Sequence, residues 1–404
     1  MAPSRLEVAD VFREHGDEFL ESWGKKISND QRRVLRDISR CRTALLGGHK
    51  LWCDQCGHEE ISYNSCRNRH CPKCQALARA EWLDQESELL LEAEYFHVVF
   101  TLPEALGPVA LQNKRAIYGT LFQAAAETLS TIARDPEHLG AEIGFLMVLH
   151  TWGQNLHHHP HVHTVVPGGG ISPDGTRWIS SRKGFFVSVR VLSRLFRGKF
   201  LASLERLRKK GSLVLAGDLA VLANPVKWEA FIRNLKKVDW VVYAKPPFGG
   251  PSRVLKYLSR YTHRVAISNS RLISLQDGKV RFRWKDYAQG SQEKTMTLEA
   301  AEFIRRFLLH VLPRGFVRIR HYGFLSNRLR HKKLALARSL LEAQKPKTAR
   351  EDGAEVSSEG KDRDCLCDRG RLCPSCNKGR MTRTEELPPQ KSPASTPRKG
   401  YDTS

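Results

Sequence analysis

Two Cys-x-x-Cys knuckles lie close together in the chain, Cys53-Asp-Gln-Cys56 and Cys71-Pro-Lys-Cys74. No other feature restricts the fold as sharply. Thiol pairs at this spacing wrap a tetrahedral zinc. Further ligand types crowd the same stretch: Cys41, His49, His58, Cys66 and His70. Taken in chain order, eight residues form four pairs, and alternate pairs would close two interleaved sites. That arrangement gives Cys53, Cys56, Cys71 and Cys74 one ion, and Cys41, His49, Cys66 and His70 another. No position is left open for chemistry, so the module is expected to be structural. Arg67, Arg69 and Lys73 stand around the knuckles as candidate phosphate contacts.

The charge balance points to a polyanionic partner. Lysine and arginine outnumber the acids by 23 across 404 residues, and the excess recurs along the whole chain. A hydrophobic fraction of 41% suffices for a buried core. No stretch is apolar enough to span a membrane, and the N-terminus carries no apolar signal core. A cytoplasmic protein is the expectation. In that compartment cysteines serve metals rather than disulfides.

Periodicity divides the rest. Residues 1–40 read as helices, residues 41–75 lose regular patterning, and 76–94 read as a helix. YFHVVFTLP, GFLMVLHTWGQ, HVHTVVPGGG and DWVVYAKPPF read as strands, and residues 111–134 and 190–210 as helices. Pro251 opens a helix over 251–266, and Asp277-Gly278 turns a hairpin. Past Leu341 the chain becomes polar and Pro/Ser-rich, the composition of a disordered tail. A cysteine knot, Cys365-x-Cys367 with Cys373-x-x-Cys376, interrupts that tail and is a candidate for one further zinc. The expected fold class is α+β. Its division is an N-terminal helical and zinc-binding domain over 1–90, a catalytic domain over 91–340, and a mostly disordered tail over 341–404 with the knot at 365–376.

On a strand His161 and His163 point the same way, with Val162 behind them. Neutral imidazoles suit divalent ions. Gln154, at the end of the preceding strand, is the first candidate for a third ligand; His157, His158 and His159 compete with it. The alternation His159, His161, His163 also matches histidine-triad nucleotide hydrolases, a reading that leaves the cysteines without a role. Tyr257 and Tyr261 stand four apart, hence on one helical face, among Lys256, Arg260, His263 and Arg264. A phenol with a pKa near ~10 needs help to attack at neutral pH. A metal that polarises a phosphoryl oxygen, with basic neighbours, supplies that help.

The segments SYNSCRNRHCPKCQ, VVFTLP, TWGQNLHHHPHVHTVVPGGG and YLSRYTHRVAISN together make the chain resemble the HUH-endonuclease transposases of the insertion sequence 91 family, over residues 30–330. The resemblance implies a central antiparallel sheet flanked by helices. His161 and His163 then bind a catalytic Mg²⁺ or Mn²⁺, beside structural Zn²⁺. Tyr257 and Tyr261 become the nucleophiles, with Lys256, Arg260 and Arg264 gathering DNA. The implied reaction nicks and rejoins single-stranded DNA at element ends and at a target through 5′-phosphotyrosine intermediates, in rolling-circle transposition. The sequence holds no G-x-x-x-x-G-K-[ST] loop, so unwinding falls to a host helicase or replication machinery. The alternatives are a replication initiator or relaxase of the same chemistry, or a non-catalytic zinc-dependent DNA-binding protein.

Overall fold

A five-stranded antiparallel sheet carries the histidines. In spatial order it runs β12 (Ile319–Gly323), β4 (Gly144–Trp152), β5 (His158–Pro167), β3 (Tyr95–Thr101) and β8 (Val242–Phe248). The computed structural model describes residues 6–182, 188–248, 253–254, 265–287, 289–344 and 371–390. Within them the fold is mixed helix and antiparallel sheet, as the α+β expectation requires.

Strand pleating gives the sheet two different faces. Phe96, Val98 and Phe100 of β3, with Val162 and Val166 of β5 and Phe145, Met147 and Leu149 of β4, enter the largest core. Helices Lys114–Arg134 and Val189–Lys209 cover that face. The second helix contributes Leu192, Phe196, Phe200 and Leu204, four residues apart, which is one apolar stripe. Phe196 meets Phe100 edge-on at 5.0 Å between ring centroids. The opposite face presents His97, His161, His163 and His150. Part of it is covered: Trp82 and Leu83 of helix Pro72–Ser87, together with Val254, pack on Leu146, Val148 and Val165.

A second core lies to one side. Helices Val8–Trp23 and Asn29–Ser39 pack with β9 (Leu272–Gln276), β10 (Lys279–Asp286), β11 (Gln292–Glu299) and helix Ala300–Leu309. Phe12 meets Phe307 at 5.2 Å, edge to face. This core draws on residues from Val8 to Val311. Local chemistry explains its parts. Ser28 and Gln31 form a reciprocal capping box at the start of the second helix. Asp277 and Gly278 both take positive φ, as a two-residue hairpin turn demands. Val280 and Phe282 of β10 face inward and are buried.

The stretch without regular periodicity is itself a hairpin, β1 (Gly48–Cys53) and β2 (Glu59–Tyr63). Its third strand comes from the far end of the chain: β13 (Met381–Leu387) pairs antiparallel with β1. The tail therefore contains folded structure over 371–390 that its composition did not announce. No helix among the described residues is long and apolar enough to cross a membrane.

Candidate metal centres and the histidine face

Two four-cysteine clusters organise the N-terminal module. Cys41, Cys66, Cys71 and Cys74 bring their sulfurs within 4.8 Å of one another. The separations of Cys74 from Cys41 and from Cys66 are both 3.6 Å. Cys41 follows a helix, Cys66 follows β2, and Cys71 and Cys74 sit at the start of helix Pro72–Ser87. That helix end carries positive potential, which favours thiolates. Close sulfur neighbours, Cys41 first, hold the Cys74 thiol below its ordinary range. The second cluster is Cys53, Cys56, Cys373 and Cys376.

The expected partition is thus corrected. Cys53 and Cys56 cap the β1–β2 hairpin and do not join Cys71 and Cys74. His49 lies on β1 opposite Ser62 and Glu386 and belongs to neither cluster. His70 turns away to accept a hydrogen bond from the Leu312 amide at 3.4 Å. Burial drives its pKa well below the ordinary value. Cys373 and Cys376 close a site with Cys53 and Cys56; Cys365 and Cys367 lie outside the described residues. Two of the candidate phosphate contacts are otherwise employed. Arg69 donates to the carbonyls of Leu312, Pro313 and Phe316, and Lys73 pairs with Glu7 at 2.7 Å.

On the histidine face, strand register does the gathering. His150 of β4 stands directly opposite His161 of β5, and His163 lies two residues along. Ring nitrogens of His150, His161 and His163 come within 4.8 Å of one another. His161 Nδ1 donates to the His159 carbonyl at 2.6 Å, which fixes the tautomer and leaves Nε2 as the basic nitrogen. Burial pushes the His161 pKa down to about 4, so the ring is neutral near pH 7 and competent as a ligand. His97 of β3 reaches His163 from the other side, with Nε2 2.9 Å from Nδ1. Trp152 stacks on His150 at 4.7 Å.

Gln154 sits in the turn after β4, its side-chain nitrogen 3.3 Å from the Tyr287 hydroxyl. It lines a cavity of about 350 Å³ with Trp152, Arg79, Ala266, Ile267 and Arg271. His157 is exposed, and His158 pairs with the Tyr118 hydroxyl at 2.8 Å. His150 and His97 were not singled out from the sequence. The available signal was a histidine inside each of two strands neighbouring β5, one of which lies opposite His161 once the hairpin closes. Tyr257, Tyr261, Lys256, Arg260 and Arg264 lie outside the described residues.

Two four-cysteine clusters, a histidine-lined sheet face and a large basic excess are the features of a metal-binding protein suited to a polyanionic partner. The comparisons make that specific. The family "Transposase zinc-binding domain" matches residues 11–102, and the family "Putative transposase" matches residues 144–333. The chain is 56% identical over 393 residues to "Putative transposase y4qJ" of Sinorhizobium fredii, covering 95% of this chain and 96% of that one. It is 30% identical over 311 residues to "Transposase for insertion sequence element IS801" of Pseudomonas savastanoi pv. phaseolicola, covering 73% and 72%. The chain belongs to the insertion sequence 91 family of transposases. No solved structure matches it. The donor set fits the zinc that the family implies: four thiols per cluster, at the spacing of a closed structural site.

Proposed function

We propose that this transposase cuts and rejoins single-stranded DNA with an HUH-type centre, using Tyr257 and Tyr261 as nucleophiles. The observation that carries the reading is the gathering of His150, His161 and His163 on one face of the central sheet. The chain that flanks the tyrosines supports it. Val254 packs on Val148 and Val165 of that same face, and Val265, Ala266 and Ile267 line a cavity with Trp152.

His161 and His163, with His150 as third donor, would hold Mg²⁺ or Mn²⁺. Such an ion would polarise the scissile phosphate and stabilise charge in the transition state. A tyrosine phenolate oxygen forms a bond to phosphorus, and the bond from phosphorus to the 3′ oxygen breaks. The leaving oxygen takes a proton and becomes a free 3′-OH, while the 5′ end stays on tyrosine. Bond energy is kept in the phosphotyrosine, so rejoining by a 3′-OH needs no nucleotide triphosphate. The second tyrosine permits a second cleavage at the element's other end or at the target, as a rolling-circle route requires. Lys256, Arg260 and Arg264 gather the strand, and strand separation comes from the host. A replication initiator would share this chemistry, but both family matches and both relatives are transposases.

The test is covalent capture. The protein is incubated with single-stranded element ends and Mg²⁺ or Mn²⁺, then run on a denaturing gel. Phe keeps the ring and deletes only the reactive oxygen. The single variants Y257F and Y261F should each retain an adduct through the surviving phenol, and the double variant should form none. An adduct whose DNA-linked peptide excludes both positions overturns the reading.

A further inference from the structure

The second cysteine cluster joins parts of the chain that the family matches do not connect. Cys53 and Cys56 lie inside the zinc-binding match, whereas Cys373 and Cys376 lie beyond both matched regions. Sγ of Cys53 is 3.8 Å from that of Cys376, and Sγ of Cys56 is 3.6 Å from that of Cys373. A tetrahedron of Zn–S bonds near ~2.3 Å has edges of about 3.8 Å, so the spacing is that of four thiolates around one ion.

The two halves of the cluster are built alike. Each is Cys-x-x-Cys followed by a residue in the left-handed region, Gly57 at φ 70° and Asn377 at φ 53°. In each, the amide of that residue donates to the carbonyl of the first cysteine, at 3.2 Å and 2.9 Å. In each, an amide two residues on points at the first sulfur: Gln55 to Cys53 at 3.5 Å, and Ser375 to Cys373 at 3.4 Å. The Gly379 amide adds a bond to Cys376 at 3.3 Å. Such amides stabilise thiolate charge. Cys53 and Cys373 are both fully buried.

The surroundings fit the pair together. The Asp54 carboxylate accepts from the Arg380 amide at 2.8 Å, and Arg371 pairs with Glu60. A Cβ at Gly379 would fall 2.5 Å from the Cys53 sulfur, so only glycine allows this approach. Beyond it β13 pairs with β1 from Met381 to Leu387.

We propose that Cys53, Cys56, Cys373 and Cys376 bind one structural Zn²⁺, and that this ion clips the C-terminal segment 371–390 onto the N-terminal hairpin. The clip joins Cys56 to Cys373 across a sequence separation of 317. Closure entropy grows only with the logarithm of loop length, so the distance in sequence is no obstacle. The four thiols lose their protons on binding, and the ion leaves when they are reprotonated or when a chelator outcompetes them.

The experiment uses the full chain and counts zinc per molecule by elemental analysis. The double variant C373S/C376S should carry one zinc fewer than wild type. C56S should lose the same ion, and adding C56S to the double variant should remove nothing more. C365S/C367S should lose none. Trypsin should cut at Lys378 and Arg380 faster in C373S/C376S than in wild type, while the main thermal transition persists, because these sulfurs touch neither large core. Zinc retained in C373S/C376S overturns the proposal, as does zinc lost from C365S/C367S. A non-reduced denatured mass lighter by the hydrogens of a disulfide also overturns it, since the cluster would then hold no ion.

Discussion

His97 Nε2 lies 2.9 Å from His163 Nδ1, on adjacent strands of the central sheet. If His163 ligates through Nε2, its Nδ1–H donates to His97, an outer partner that orients the ring and raises its basicity. His97→Phe should then weaken metal affinity about 10–100-fold. Cleavage should fall at limiting Mn²⁺ and recover at high Mn²⁺, while DNA binding is unchanged. A cleavage curve against metal concentration that superimposes on wild type refutes the assignment.

His150 and Gln154 make opposite predictions about the third ligand. His150 stands among the imidazoles, whereas Gln154 reaches toward Tyr287. His150→Ala should reduce cleavage at least tenfold, of the order seen for lost ligands and their partners, and shift the metal curve to higher concentration. Gln154→Ala should leave the metal curve in place. The reverse pattern would restore Gln154 as the ligand.

Arg69 ties the cysteine-rich module to the 312–316 loop. Its guanidinium donates to three carbonyls of the 312–316 loop, and in the chain it lies between the clustered cysteines Cys66 and Cys71. Arg69→Met removes three charge-assisted hydrogen bonds and leaves the Pro313 carbonyl only the Phe316 amide, a loss of roughly 3 kcal/mol at ~1.5–3 kcal/mol for each charged hydrogen bond with incomplete additivity. Chemical denaturation should show it. Arg69→Met with an unchanged midpoint would mean that the contact contributes nothing to stability.

Acid should weaken the fold through buried histidines. His310 is 2% exposed; its Nε2 donates to the Leu156 carbonyl at 3.1 Å, and its Nδ1 accepts from Thr151. Burial lowers its pKa to about 3, from 6.5. The folded state therefore binds fewer protons than the unfolded one between those values. The contribution is complete above about pH 6.5 and is lost as pH falls toward about 3, at up to about 1.4 kcal/mol per pH unit. His310→Gln keeps a donor and an acceptor but does not titrate. Its stability should fall less steeply than wild type below about pH 6.5; parallel slopes would exclude His310 as the source.

The sequence alone determined what can be read within a few residues. The Cys-x-x-Cys knuckles announced zinc, the alternation of His161 and His163 placed both on one strand face, and the Asp277-Gly278 turn closed the expected hairpin. Each of these is a local periodicity or a local backbone demand. Tertiary structure decided which ligands share a site. Cys71 and Cys74 belong with Cys41 and Cys66 because a helix start, a helix end and the exit of β2 converge there. Cys53 and Cys56 instead meet Cys373 and Cys376 because β13 pairs with β1. His150 joins His161 only through the register of β4 against β5. Arg69 and His70 were assigned by packing against the 312–316 loop rather than by their neighbours in the chain. The physical reason is common to all four: ligation and burial depend on distances between segments far apart in sequence, and those distances are set by strand register and core packing.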